Sequence, residues 1–227
     1  MPSSDFLKEF NLTEKQLEDL KKYMLLLQEW NEKIDLTNII EEHEVYIKHY
    51  FDSLILGKYL NNSIKIADIG TGAGFPGLPL KIYNNSLNMD LIEPTNKRCR
   101  FLQDVIDNLE LQNINIINER SENLTDSREH YDVVCSRAVA RLSILLELSI
   151  PLLKVKGKMY ALKGSSFKEE LDDAKHALKE LKCKVTNIYE YDLPLDMGHH
   201  AIIEIEKLEK TNIKYPRVYA KIKKQPL

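Results

Sequence analysis

Cysteine, glycine and long apolar runs are all scarce in this chain of 227 residues. Cys99, Cys135 and Cys183 are odd in number, widely spaced, and without a Cys-x-x-Cys pair or a neighbouring histidine. That pattern suggests neither a disulfide framework nor a zinc site, and leaves the three as packing residues. No apolar stretch approaches the roughly 18–20 residues a membrane-spanning helix needs, and Met1 to Asp5 is polar where a signal peptide carries its apolar region. A soluble, cytoplasmic protein without a metal is expected, most simply a monomer. The net charge of −3 gives no bulk attraction for nucleic acid. Neither an internal repeat nor a low-complexity segment is present, and the length suits one main domain with an appendage.

Charge is distributed less evenly than its sum suggests. Residues 1 to 63 are net acidic, whereas Lys207 to Leu227 carries Lys207, Lys210, Lys214, Arg217, Lys221, Lys223 and Lys224 against Glu209 alone. Such a strip is either a polyanion contact or a solvated, frayed tail. The scarce glycines are uneven too: Gly70, Gly72, Gly74 and Gly77 follow the short apolar run Ile64, Ile66, Ala67, Ile69 and precede Leu78 and Leu80. This reads as strand, tight turn and helix, with a backbone that a small molecule can approach closely.

Around this turn the order of elements is regular. Thr13 with Gln16 forms a capping box, followed by Leu17, Leu20, Met24, Leu27 and Trp30 at helical spacing. Helical periodicity resumes over residues 41 to 59, where His49 and Asp52 read as a partly buried residue and its salt-bridge or capping partner. Asn61, Asn62 and Ser63 mark a boundary near residue 60. Strands are expected at 64–69, 89–92, 114–118, 133–136, 158–162, 184–191 and 201–206, with helices at 77–83, 97–109, 142–153 and 167–181. The alternation predicts an α/β fold: a Rossmann-like, seven-stranded, mostly parallel sheet covered by helices. The last two strands are joined only by D-L-P-L-D-M-G-H-H, so they should pair antiparallel at the sheet's edge. The expected organisation is an N-terminal helical extension (1–60), the Rossmann-like domain (61–207) and a basic tail (208–227).

Gly72-Ala-Gly74-Phe-Pro-Gly77 matches G-x-G-x-x-G, which alone would also suit a nicotinamide dinucleotide. Asp68 ahead of the first glycine could instead face an ammonium or sulfonium group, and Pro76 removes a backbone donor where a pyrophosphate would use one. An antiparallel pair closing seven strands is also how methyltransferase sheets end. Glu93, at the tip of the second strand, can accept both ribose hydroxyls of either nucleoside. Ser121 and Glu122 follow the third strand, where an adenine would lie, and Arg137 ends the fourth, pointing into the cleft outside the middle strands.

These segments resemble the bacterial small-subunit ribosomal RNA guanine-N7 methyltransferases, also called glucose-inhibited division protein B. The likeness rests on D-L-T-N-I at 35–39, K-H-Y-F-D-S-L at 48–54, D-I-G-T-G-A-G-F-P-G at 68–77, E-P-T-N-K-R at 93–98, R-S-E at 120–122, S-R-A at 136–138, and Y-P-R and K-K-Q-P-L in the tail. It implies a class I methyltransferase fold, S-adenosylmethionine as donor, and a guanine of 16S ribosomal RNA, free or in the small subunit, as acceptor. By matching positions it implies that Gly70, Phe75, Ser121, Glu122 and Arg137 contact the donor; Asp68, Gly72 and Glu93, read from the turn and the strand tips themselves, are the further donor candidates. Val218 follows Arg217 where many relatives have a second basic residue.

Guanine N7 carries a free lone pair, so its methylation needs no general base, and the fourth strand lacks the Asn/Asp-Pro-Pro-aromatic signature of exocyclic-amine methylation. Arg137 is the expected catalytic residue, fixing donor or guanine. Lys163, at the tip of the fifth strand, and Arg217, Lys223 and Lys224 are candidates for RNA phosphate. A nicotinamide-dependent oxidoreductase and a non-catalytic RNA-binding assembly factor are the alternatives.

Overall fold

A computed structural model describes residues 3–62 and 64–227; Met1, Pro2 and Ser63, the last of these part of the expected boundary, lie outside the described residues. A 3-10 turn, Ser3–Phe10, leads into α1 (Glu14–Asn31), α2 (Glu42–Glu44), a π-helical stretch Val45–Phe51 and α3 (Asp52–Gly57). Then come β1 (Lys65–Ile69), α4 (Gly77–Tyr83), β2 (Asn88–Ile92), α5 (Asn96–Asn108), β3 (Ile114–Ile117), β4 (Tyr131–Arg137) and α6 (Leu142–Ser149). The chain continues through β5 (Leu153–Lys163), α7 (Phe167–Asp173), α8 (Lys175–Glu180), β6 (Cys183–Asp192), β7 (His199–Lys207) and α9 (Tyr219–Lys224). All seven expected strands form.

They lie in one sheet in the order β3-β2-β1-β4-β5-β7-β6. Crossovers through helices make β1 to β5 parallel, whereas β7 runs antiparallel to both neighbours. The short β6–β7 link leaves no room for a crossover, so β7 turns back and slots between β5 and β6. Parallel strands with helices on both faces are buried on both sides, and side chains alternate between them. Ile66, Val133, Cys135 and Tyr160 face one core, formed with the N-terminal helices, α4 and α5; Ala67, Ile69, Val134 and Met159 face the other, formed with α6 to α8.

The first sixty residues are not a separate body, because Leu20, Tyr23, Leu27, Tyr50 and Leu54 belong to the same core as β1 and β2. Thr13 and Gln16 form the capping box of α1. Gln16 also donates to the carbonyls of Ile82 and Tyr83 at 3.1 and 2.8 Å, satisfying carbonyls that the end of α4 leaves open. Trp30 donates to Asp104 of α5 at 2.7 Å. Tyr23, fully buried, donates its hydroxyl to the carbonyl of Ala73, inside the glycine turn, and stacks on Phe75 at 5.4 Å. The turn that the sequence places at the centre of the fold is thereby braced from outside the sheet.

The tail is docked rather than frayed. Arg128 donates to the carbonyls of Tyr215 and Thr211, and Tyr215 is buried with its hydroxyl 3.0 Å from Glu180. Among the described residues no helix is long and apolar enough to cross a membrane.

Because the Ala73 carbonyl loses a buried donor, Tyr23→Phe is expected to lower the unfolding free energy by about 1–2 kcal/mol. Urea denaturation should show a lower midpoint with an unchanged slope.

Candidate active site

At the carboxyl end of β1 the chain must turn under β2 without clashing with the loop after β4. A Cβ on Gly70, whose φ is +65°, would lie 2.6 Å from a methyl of Val139, so only glycine fits there. Gly72, with φ +61°, borders open space instead. Asp68, 0 % exposed, ties the turn together: Oδ2 accepts from the Thr71 hydroxyl at 2.6 Å and from the Gly77 amide at 2.9 Å. Its Oδ1 is buried with no partner. Burial pushes this carboxyl up to about 6, against the opposing hydrogen bonds from Thr71 and Gly77. Half of Asp68 is therefore engaged in shaping the turn, and the other half is an unmet acceptor.

The tips of β1, β2 and β4, with the segment following β3, are neighbours in the sheet and surround a cavity of about 290 Å³. Four sequence candidates, Gly70, Glu93, Ser121 and Glu122, line it together. Glu93 is 1 % exposed; Oε1 accepts from the Thr95 amide at 2.9 Å and Oε2 from the Gly72 amide at 3.1 Å, which ties Gly72 to this wall although neither Gly72 nor Asp68 lines the cavity. A residue not singled out in the sequence closes the cavity: Tyr219 of the tail, over whose ring Arg120 lies at 5.1 Å. A tyrosine in a basic tail gives no signal of this without the docking of Tyr215 and Arg217 that brings it back.

Arg137 faces a second, larger cavity of about 510 Å³, which shares Ala138 and Val139 with the first. Its guanidinium donates to the Lys48 carbonyl at 2.7 Å, to Asp52 Oδ2 at 2.9 Å and to His49 Nδ1 at 2.8 Å, and sits 5.0 Å from the centre of the Phe75 ring. Three of five N–H groups are thus engaged, leaving two. The π-helical stretch, a conformation concentrated at functional sites, carries Lys48 and His49 and runs directly into Asp52. The side chains of His49 and Asp52 do not bond each other but both bond Arg137; the two residues are joined through the backbone, where the Asp52 N–H caps the π-helical stretch by donating to the His49 carbonyl.

His49 accepts at Nδ1, so its proton is on Nε2, 3.1 Å from the Thr37 hydroxyl. Burial and the adjacent Arg137 charge push this imidazole down to about 3, which keeps it neutral at physiological pH. Asp52, 1 % exposed, also accepts from the Tyr191 hydroxyl at 2.8 Å and from His200 Nδ1 at 2.6 Å. Burial favours its protonated form, but the bonds from His200 and Arg137 outweigh that and hold the carboxyl below its usual range. Phe75 packs between His49, at 4.1 Å, and Arg137, and lines neither cavity. In this arrangement the ring supports the faces of His49 and Arg137.

Two of the four phosphate candidates are committed internally. Lys163 is 8 % exposed, donates to the Ala140 carbonyl at 2.6 Å and pairs with Glu170 at 2.7 Å, clamping the loop after β4 beside the larger cavity. Arg217 is paired with the fully buried Glu147, through Nε to Oε1 at 2.8 Å and Nη2 to Oε2 at 2.5 Å, which anchors the tail. A carboxylate buried in α6 needs such a partner, and a count of tail charges cannot reveal it. Lys223 and Lys224 are exposed and, among the described residues, have no ion-pair partner within 4.0 Å.

Comparison with known proteins places the family and the fold. Residues 16–195 match the family model described as GidB, rRNA small subunit methyltransferase G. The chain belongs to this family. A relative named ribosomal RNA small subunit methyltransferase G, from Staphylococcus aureus strain bovine RF122 / ET3-1, is 45% identical, covering 97% of this chain and 95% of its own. Solved structures share the fold: an Aquifex aeolicus SAM-dependent methyltransferase has a TM-score of 0.58 at 13% identity, covering 79% of this chain and 98% of that one. TYW2 from M. jannaschii, solved in complex with AdoMet, has a TM-score of 0.55 at 16% identity, covering 69% of this chain and 77% of that one. The sheet is accordingly that of the class I methyltransferases. Within the motifs quoted above, D-L-T-N-I supplies Thr37 and K-H-Y-F-D-S-L supplies Lys48, His49 and Asp52, so both build the Arg137 cradle rather than the smaller cavity.

The raised Asp68 group carries a sign. The folded state binds its proton more tightly than the unfolded chain, so its contribution to stability is best at low pH and is lost as pH rises from about 4 to 6. Asp68→Asn removes that loss: thermal or urea unfolding should show a gain of on the order of 1–3 kcal/mol at pH 7.5 and little change at pH 4.5.

Proposed function

We propose that this protein transfers a methyl group from S-adenosylmethionine to N7 of a guanine in small-subunit ribosomal RNA, acting as a cytoplasmic monomer. The observation that carries the reading is the pair of cavities meeting at Ala138 and Val139, one walled by acidic and hydroxyl groups at the tips of β1 to β3, the other by Arg137. The first suits the donor. Glu93 would hold the ribose hydroxyls and Ser121 and Glu122 would border the adenine; next to this cavity, in the glycine turn, the unmet Oδ1 of Asp68 and the open backbone at Gly72 suit an ammonium-bearing chain.

S-Adenosylmethionine bound there supplies an electrophilic methyl, taken by the N7 lone pair as the carbon–sulfur bond breaks with its electrons left on sulfur. N7 bears no proton, so no side chain need remove one. The remaining work is alignment, in which holding two reactants near attack geometry can contribute several powers of ten. Arg137 is suited to it because its charge is neutralised by Asp52, its plane is fixed by Phe75, and two donors remain for donor or guanine. Lys223 and Lys224 are the tail groups left for phosphate.

The oxidoreductase alternative is disfavoured by β7, which interrupts the wholly parallel order of dinucleotide-binding sheets. A non-catalytic assembly factor would have no need of a buried unmet carboxylate beside an open glycine.

Arg137→Lys keeps a cation opposite Asp52 but loses the planar fork. Labelled-methyl transfer to small ribosomal subunits should fall about a hundredfold; transfer at the wild-type rate would remove Arg137 from the mechanism. Replacing Lys223 and Lys224 by alanine should weaken RNA binding and reduce its salt slope by about one per lysine, with donor affinity unchanged.

A further inference from the structure

The larger cavity holds an Asp–His pair that the donor site does not use. His200, on β7, lines this cavity, and its Nδ1 lies 2.6 Å from Oδ1 of the buried Asp52. The ionised carboxylate can only accept, so the proton on that bond is on Nδ1. Nε2 has no hydrogen-bond partner among the described residues, while His200 is about a quarter exposed, with a side-chain exposure of 27%. The cavity wall also carries the apolar side chains of Ile39, Leu162, Leu193 and Met197. A volume of about 510 Å³ falls within the range of small-molecule pockets, about 300–1,000 Å³. It is a mostly apolar space in which His200 and Arg137 are the polar groups with hydrogen-bonding capacity to spare, Lys163 and Glu170 being paired with each other.

We propose that this cavity takes the extruded acceptor guanine and that His200 reads its N1–H, with Asp52 fixing the ring's tautomer. The proposal rests on the methyltransferase reading above. Guanine offers a donor at N1 where adenine offers an acceptor, so a lone pair on Nε2 selects guanine and leaves an adenine facing an unmet acceptor. The arrangement also favours the reaction. Alkylation at N7 forms one N–C bond, breaks one S–C bond and moves a positive charge from sulfur onto the purine. N1–H becomes a stronger donor as that charge develops, so its bond to His200, backed by the Asp52 carboxylate, strengthens towards the transition state. Asp52 thereby serves two groups: it neutralises Arg137 through Oδ2 and polarises His200 through Oδ1.

The experiment uses the full-length protein and small ribosomal subunits lacking the modification. His200→Leu should lower kcat/KM for methyl transfer at least about tenfold, chiefly in kcat, with S-adenosylmethionine affinity by calorimetry unchanged within about twofold. His200→Gln, which returns an acceptor to the position of Nε2, should recover activity to within about threefold of wild type. A second readout is independent of turnover: in the presence of S-adenosylhomocysteine, guanosine monophosphate should shift the NMR signals of the His200 ring, identified by their loss in His200→Gln, and adenosine monophosphate should not. Wild-type rates in His200→Leu, equal impairment of the leucine and glutamine variants, or equal shifts with both nucleotides would each overturn the assignment of His200. Absence of any transfer by the wild type, with donor binding intact, would instead overturn the reading on which it rests.

Discussion

A permanent positive charge at the seam between the sheet and the N-terminal helices is the constraint around which the site is arranged. Arg137 cannot shed its proton, so its burial requires a carboxylate and a full set of acceptors. Asp52 supplies the charge, and Lys48 and His49 the remaining acceptors, all from one irregular helical stretch. His49 can fill this role only while neutral, which its burial ensures. The π-helical conformation, the buried aromatic contact with Phe75 and the packing of α1 on the glycine turn are all consistent with holding one guanidinium still.

This explains why the two cavities have different characters. The smaller is built from strand tips and their following turns, where backbone amides and acidic side chains converge by topology alone. The larger depends on pieces from remote parts of the chain: the loop after β4, the π-helical stretch and the β6–β7 pair. The first is a property of the sheet. The second belongs to the particular way the N-terminal helices and the antiparallel strands meet over it.

The fold was largely legible because parallel strands buried on both faces leave short apolar runs, and helices of ten or more residues leave a clear period, as at Leu17 to Trp30. That Gly70, Glu93, Ser121 and Glu122 share one cavity is legible because a strand's end fixes where its next residues lie. Pairing across long separations was not. Nothing local distinguishes Arg217, committed to a buried Glu147, from Lys223, which is exposed; nor does the end of β5 disclose that Lys163 meets Glu170. Likewise the spacing of His49 and Asp52 points the two to each other, whereas the chain joins them through the backbone alone and turns both side chains to a distant arginine.

The connections to Asp52 have a temporal consequence. Its partners Arg137, Tyr191 and His200 lie 85, 139 and 148 residues further along the chain. These are contacts of high contact order, and β7, although late in sequence, sits inside the sheet rather than on its rim. A chain emerging from the amino end can assemble β1 to β4 and the donor-side turn, but the carboxylate that governs Arg137 stays incompletely satisfied until the seventh strand inserts. The acceptors around Arg137 are therefore complete only when the seventh strand is in place, and the wall of the smaller cavity only when Tyr219 of the tail has followed it.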